Sequence, residues 1–258
     1  MMLGARTGAW AQSGGGVPTV SDYIGFGTED LLWMLDGINN TGADTHHDNS
    51  SAKWFDVCGS GKDIPMDNVD GWSWDDNCMK TSSQDIVASC GGIFYYNNFF
   101  NDDNFLRGGI TSQSVISFDS VFDTGSSVYN LISPSSESAF GAMWLNGAWG
   151  TSLGGGFMAW NHKEIQLDAI DTGIKYHITS SYDGSVVRSY LDGVLVHSKS
   201  RPGLSIKCGG YLMFNYNPWN KSGGIDGKHY AHRLYGRVLT DDEIAANYAV
   251  DKARFNLA

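Results

Sequence analysis

The chain has 258 residues, 41% of them hydrophobic, and its 9 Trp, 12 Tyr and 12 Phe supply enough apolar surface to offset the ordering entropy that keeps polar chains disordered. Seventeen basic against 28 acidic side chains leave a net charge of −11, which repels phosphate and argues against a nucleic-acid partner. Glutamate occurs only at Glu29, Glu137, Glu164 and Glu243, and the dominance of Asp, Asn and Gly over helix formers points to an all-β, loop-rich fold.

Residues 1–22 read as a flexible leader or attachment arm: small residues, Gly14-Gly15-Gly16, then Pro18, with Trp10 as a lone aromatic. Ala9-Trp10-Ala11 is loosely signal-like, but no apolar stretch precedes it and no secretory signal is expected. The longest uncharged stretch, 138–162, is broken by Gly, Ser and Asn, so no membrane insertion is expected. Residues 23–258 contain no second linker and no internal repeat, and are read as one domain.

The first strand is predicted over 31–35. In the polar loop beyond it, His46-His47-Asp48 lacks metal-ligand spacing and is expected to be exposed. The sequons at Asn39, Asn49 and Asn220 are assigned no glycan. Acidic loops at Asp67-Asn68-Val69-Asp70, Asp75-Asp76 and Asp102-Asp103 offer oxygens without EF-hand spacing, which leaves calcium as a candidate cofactor with no ligand set assigned. Trp72 and Trp74, two apart, are expected to share a strand face beside Asp75 and Asp76.

Further strands are predicted over 115–122, 128–132, 157–160, 211–216 and 230–235, each bounded by turn formers. Trp33, Trp54, Trp144 and Trp160 fall inside strand patterns and are expected in the core, whereas Trp149 and Trp219 lie in Gly/Asn-rich stretches read as loops. His229 and His232 are expected on opposite faces of one strand. Between 175 and 199, three β-branched and aromatic stretches are separated by Asp183-Gly184 and Asp192-Gly193, a three-strand antiparallel meander. Thr240-Asp241-Asp242-Glu243 is a capping box that starts a helix over 240–249, docked through Ile244 and Tyr248. Cys58, Cys78, Cys90 and Cys208 lack zinc spacing and read either as disulfide partners or as reduced, packed thiols.

Three passages resemble the laminin G-like jelly rolls of the concanavalin A-like lectin/glucanase superfamily: LLWMLDGINNTGADTHHDNSSAKWFDVCGSGKD (31–63), YHITSSYDGSVVRSYLDGVLVHSKS (176–200) and GGIDGKHYAHRLYGRVLTDDEIAANYAVDKARF (223–255). They are similar to the family's opening and Trp-x-Asp strands, to its hairpin meander, and to its closing strand, Arg-x-Leu-Thr-x-x-Glu turn and terminal helix. The resemblance implies an all-β jelly-roll sandwich of two curved antiparallel sheets with one short C-terminal helix, used most often to bind sugars or cell-surface ligands, sometimes with calcium. The leader GARTGAWAQSGGG is similar to the start of some phage or prophage structural proteins.

Glucanases of this superfamily carry Glu-x-Asp-x-Glu or Glu-x-Asp-x-x-Glu on one strand. Here Glu164 and Asp168 have no second glutamate and Asp171 is off register, so the chain is expected not to be an enzyme and to have no catalytic residues. The expected function is a carbohydrate- or receptor-binding module displayed outside a cell or on a virion. Its ligand residues would be Trp72, Trp74, Asp75, Asp76, Trp149 and Trp219, with aromatic faces against a pyranose and carboxylates on its hydroxyls. The alternative is a phage fibre or decoration subunit that packs against copies of itself and would expose an extended apolar patch, and the third reading, a glycoside hydrolase, would need a second carboxylate near Glu164.

Overall fold

The structure, a computed structural model, describes residues 16–42, 46–66, 72–81, 109–119, 171–200, 202 and 226–258, together with the backbone alone of 126–127, 129–132, 138–146, 152–159, 162–163 and 211–214. The strands in the first half are β1 (Leu31–Asp36), β2 (Lys53–Trp54), β3 (Ile64–Pro65), β4 (Trp72–Asp75), β5 (Cys78–Thr81), β6 (Ile110–Phe118), β7 (Ser126–Ser127) and β8 (Tyr129–Ile132). Those in the second half are β9 (Ser138–Asn146), β10 (Ser152–Ala159), β11 (His162–Lys163), β12 (Lys175–Tyr182), β13 (Val186–Leu191), β14 (Val194–Ser200), β15 (Tyr211–Phe214) and β16 (Gly227–Tyr235). A 3-10 turn, Val20–Asp22, precedes β1, and α1 (Asp241–Phe255) follows β16.

Two antiparallel sheets result. The large one runs β14-β13-β12-β6-β16-β5-β4, with β1 also on β16; the second runs β11-β10-β9-β8-β15, with β7 beside β9. β5 pairs with the first part of β16 and β1 with the rest, so β1 and β5 lie end to end along one flank. β10 passes close to β12 and β13, as stacked layers require.

The meander expected over 175–199 forms as β12, β13 and β14. Asp192 (φ 50°) and Gly193 (φ 78°) make its two-residue turn, with both residues at positive φ. The turn at Asp183 is one residue longer, and its carboxylate accepts from the Ser185 and Val186 N–H groups (2.8 and 2.7 Å) and from Arg188 (2.7 Å). β6 starts at Ile110, five residues before the predicted 115, because both its faces are covered and Thr111 to Ser114 are buried without the alternation that marks a half-exposed strand.

The helix runs to Phe255, beyond the expected 249. Thr240 and Glu243 cap its start reciprocally, Lys252 and Arg254 sit favourably in its last turn, and Asn256 in the left-handed region ends it. It lies over the face of the large sheet that carries Arg233, Gln113 and His177. Arg233 and Asp251 form a two-pronged pair, Tyr23 donates to Asp251 (2.6 Å), and Asn247 donates to Gln113 and Tyr235 (2.8 and 2.9 Å). Arg254 reaches Asp36 (2.8 Å) and the Pro18 carbonyl (3.0 Å). Val20, within the stretch read as the leader, is buried in a core cluster with Tyr23, Met34, Tyr190, Tyr235 and Ile244. Residues 1–15 lie outside the described residues.

The structure corrects the placement of His229 and His232. A β-bulge at Tyr230 adds one residue between them, so both point to the same side of β16, with His229 Nδ1 3.2 Å from His232 Nε2. Cys58 and Cys78 are free thiols, and burial pushes both upward in pKa, Cys78 to about 12. Cys90 and Cys208 lie outside the described residues. No helix among the described residues is long and apolar enough to cross a membrane.

Candidate ligand-binding face

The β4–β5 hairpin forms one end of the large sheet, and its tip turns at Asp76 and Asn77, the latter at φ 58°. Strand alternation puts Trp72 and Trp74 on one side, opposite Thr81 and Met79 of β5. From there an edge-to-face series runs inward: Trp72 to Trp74 (5.6 Å between centroids), Trp74 to Trp54 (5.5 Å), Trp54 to His232 (5.8 Å). Exposure falls along it. Trp72 is half-buried, Trp74 is 9% exposed and Trp54 is fully buried.

Four indoles spend their N–H on backbone carbonyls, three of them in the segment between β1 and β4 and one, that of Asp36, at the end of β1. Trp33 donates to Lys62 (3.1 Å), Trp54 to Asp36 (3.0 Å), Trp72 to Met66 (2.8 Å) and Trp74 to Ser51 (2.8 Å). The rings therefore pin that segment to the sheet while using donors that burial would otherwise leave costly. Core positions for Trp33 and Trp54 agree with the sequence expectation. Trp144 has only its backbone described, and Trp160 lies outside the described residues.

Of the six residues expected at the ligand, Trp72 and Trp74 come together, and Asp76 is exposed at the hairpin tip. Asp75 is separated from the rings. It lies on the opposite side of β4, where its carboxylate accepts from Lys228 (2.6 Å), a bond that lowers its pKa. Trp149 and Trp219 lie outside the described residues, as do Glu164, Asp168, Asn220 and the acidic loops 67–70 and 102–103.

His47 is not simply exposed. Its ring is edge-on to Trp74 at 5.7 Å, Nδ1 bonds the Gly37 carbonyl (2.5 Å) and Nε2 bonds Asn49 (2.9 Å), whereas His46 is exposed. Among the described residues no three His, Cys, Asp or Glu side chains gather to hold a metal ion. Asn39 is buried and accepts from Arg254 (3.3 Å), while Asn49 is exposed.

Behind the aromatic series lies a buried polar chain that no local spacing announces. Thr81 Oγ1 is 3.3 Å from His229 Nε2, and His232 Nδ1 is 2.8 Å from Ser114 Oγ. Ser114 and His232 have the spacing of a nucleophile and its base, yet Ser114 is 1% exposed in the middle of β6, so the bond satisfies buried groups on the sheet. Burial lowers both imidazoles, His229 to about 3.

The family description "Concanavalin A-like lectin/glucanases superfamily" matches residues 95–245, more than half of the sequence, and the chain belongs to this laminin G-type family. Among solved structures, Trypanosoma rangeli sialidase in complex with sialic acid is similar to 93% of this chain (TM-score 0.62, 13% identity, 34% of that chain). The same sialidase without a named ligand gives TM-score 0.61 and 15% identity over 88% of this chain and 33% of that one. The receptor binding domain of botulinum neurotoxin D gives TM-score 0.56 and 12% identity over 86% of this chain and 52% of that one. The chain spans about a third of the length of the sialidase chains it matches. No curated protein matches the sequence.

The sialidase likeness corrects the expectation that the chain is not an enzyme, because the same architecture occurs within chains named as sialidases and cannot serve to exclude catalysis. At these identities the likeness shows the fold and assigns no activity.

Proposed function

We propose that the chain is a carbohydrate- or cell-surface-receptor-binding module displayed outside a cell or on a virion, with its ligand face at the β4–β5 hairpin. The observation that carries this reading is the aromatic series that reaches the surface at the half-buried ring of Trp72, with Trp74 next to it in contact with His47, whose Nε2 bonds the exposed Asn49. Because the Trp72 N–H is committed to Met66, the indole would offer its apolar surface to a sugar, with hydrogen bonds supplied by the surrounding loops. Family membership and neighbours named for sialic acid and for receptor binding support the ligand class. Trp74, nearly buried, would act by holding Trp72 in place, and Trp149 and Trp219 are proposed to complete the face. A glycan array read with and without calcium, followed by titration of any hit against Trp72→Ala, tests it. Absence of binding to glycans and to cell surfaces, or unchanged affinity in the variant, would reject the assignment.

A structural subunit that packs against copies of itself is the second reading. It is favoured by the run of exposed apolar side chains on β14.

A further inference from the structure

Residues 46–52 reach both tryptophans of β4 through backbone carbonyls. The Trp74 N–H donates to Ser51 (2.8 Å). The Met66 N–H donates to Ala52 (2.8 Å) while the Met66 carbonyl accepts from Trp72 (2.8 Å), so the place of this segment bears on the place of both rings. Two side chains hold the segment to the end of β1 and the turn that follows it. Asn40, fully buried, donates from Nδ2 to the Asp48 carbonyl (2.9 Å) and accepts at Oδ1 from the Asp48 N–H (2.8 Å). His47, half-buried, bonds the Gly37 carbonyl through Nδ1 (2.5 Å). A carbonyl oxygen only accepts, so Nδ1 carries the proton in that bond, and Nε2 meets the Asn49 amide (2.9 Å), which can turn either end towards it.

We infer that His47 is the positioning residue of the Trp72–Trp74 pair, a strut between fixed backbone where β1 and β5 meet and the ring of Trp74. One end of the strut is the Gly37 carbonyl. Gly37 is itself bonded to the Tyr230 carbonyl (2.7 Å) and stands so close to Asn77 that a Cβ there would lie 2.1 Å from its oxygen, which leaves that peptide little room to shift. The other end is Trp74, which the imidazole meets edge-on at 5.7 Å. Trp74 in turn meets Trp72 edge-to-face at 5.6 Å, so the restraint passes to the ring that reaches the surface. The Asn40 clamp ends on the backbone of the segment, whereas the His47 strut ends on an aromatic ring. The inference rests on the ligand face proposed at Trp72 and adds how that face is kept ready: a ring held in place before the ligand arrives loses less freedom on binding. The role asks for no contact between the imidazole and the ligand.

Hydrogen exchange of the indole N–H groups in the full chain, read from proton–nitrogen correlation spectra, tests it without a ligand. His47→Phe keeps a ring against Trp74 and removes the donor to Gly37. Exchange at Trp74 and Trp72 should then quicken about fivefold or more, the effect of losing one net hydrogen bond. Trp33, whose N–H goes to Lys62, is the internal reference and should keep its rate. His47→Asn, which places an amide N–H where the imidazole Nδ1 stands on the side chain, should restore slow exchange. Affinity for any glycan that the unsubstituted chain retains on the array should fall about fivefold in His47→Phe and recover in His47→Asn. Unchanged exchange at Trp74 and Trp72 in His47→Phe, equal quickening at Trp33, or no recovery in His47→Asn would each overturn the inference. The ligand-face reading fails separately, through unchanged affinity in Trp72→Ala, whichever way the indoles exchange.

Discussion

Arg233 and Asp251 face each other as a two-pronged ion pair in which neither side chain is exposed, one on the central strand β16 and the other in α1. The arginine also lies over the Tyr23 ring (4.1 Å), so a single guanidinium joins sheet, helix and the segment before β1. Desolvation opposes the buried charge and Asp251 more than offsets it, which leaves the Arg233 pKa raised.

Breaking that pair from one side strands the other charge. Asp251→Asn or Arg233→Met should each cost about 3–5 kcal/mol of stability in urea unfolding. Exchanging both for apolar residues of similar volume should cost much less than the two single losses added together. Additive single losses would show that the pair is not coupled as its geometry requires.

Acid should loosen the fold through its buried histidines. In an unfolded chain each imidazole takes up its proton near pH 6.5. In the fold, burial holds His177 down to about 4 and His229 to about 3, with His232 also strongly lowered. Between these values protons favour the unfolded chain, so this contribution is intact above about pH 6.5 and is lost as pH falls towards 4, at up to about 1.4 kcal/mol per pH unit for each histidine. Urea midpoints at pH 7.5, 6 and 5 read the slope, and His177→Phe should reduce it by one proton's worth. An unchanged slope in that variant would remove His177 from the account.

The two tryptophans of β4 should separate in behaviour. Trp74→Ala opens a void among Trp54, Trp72 and His47 and should cost about 3–5 kcal/mol of stability. Trp72→Ala should cost less stability and weaken ligand binding about tenfold. Loss of stability by Trp72→Ala with unchanged affinity per folded molecule would make that ring a packing residue.

Gly37 should not tolerate a side chain. A Cβ there would stand 2.1 Å from the Asn77 carbonyl oxygen and 2.9 Å from that of Tyr230, both fixed backbone atoms where β1 and β5 meet end to end. Gly37→Ala should therefore lower the urea midpoint, and a neutral result would mean that the β4–β5 hairpin can move away at little cost.

What the sequence revealed was what short spacing governs. Asp192-Gly193 and the Thr240 to Glu243 box specify their turn and cap within four residues, and the structure forms both as read. The pairing of Trp72 with Trp74 was legible for the same reason. Asp75 was misplaced because adjacency in sequence was taken over alternation, which turns it towards Lys228, 153 residues away. The His229–His232 contact was hidden because a bulge reverses parity without a residue type to announce it. Nor could the spacing reveal that indole N–H groups would be consumed by carbonyls of a remote loop, since those partners are defined by the fold alone.

The hydrogen bond from Arg254 to the Pro18 carbonyl makes the start and finish of the described domain neighbours. Polypeptide arriving at Pro18 and polypeptide continuing past α1 would pass within one side chain of each other, so the sandwich hangs from a single pole and can be spliced into a surface loop of a host protein with little gap to bridge. Grafted that way, it would present its remaining surface outward, as a pendant does, rather than acting as a spacer that lengthens the host.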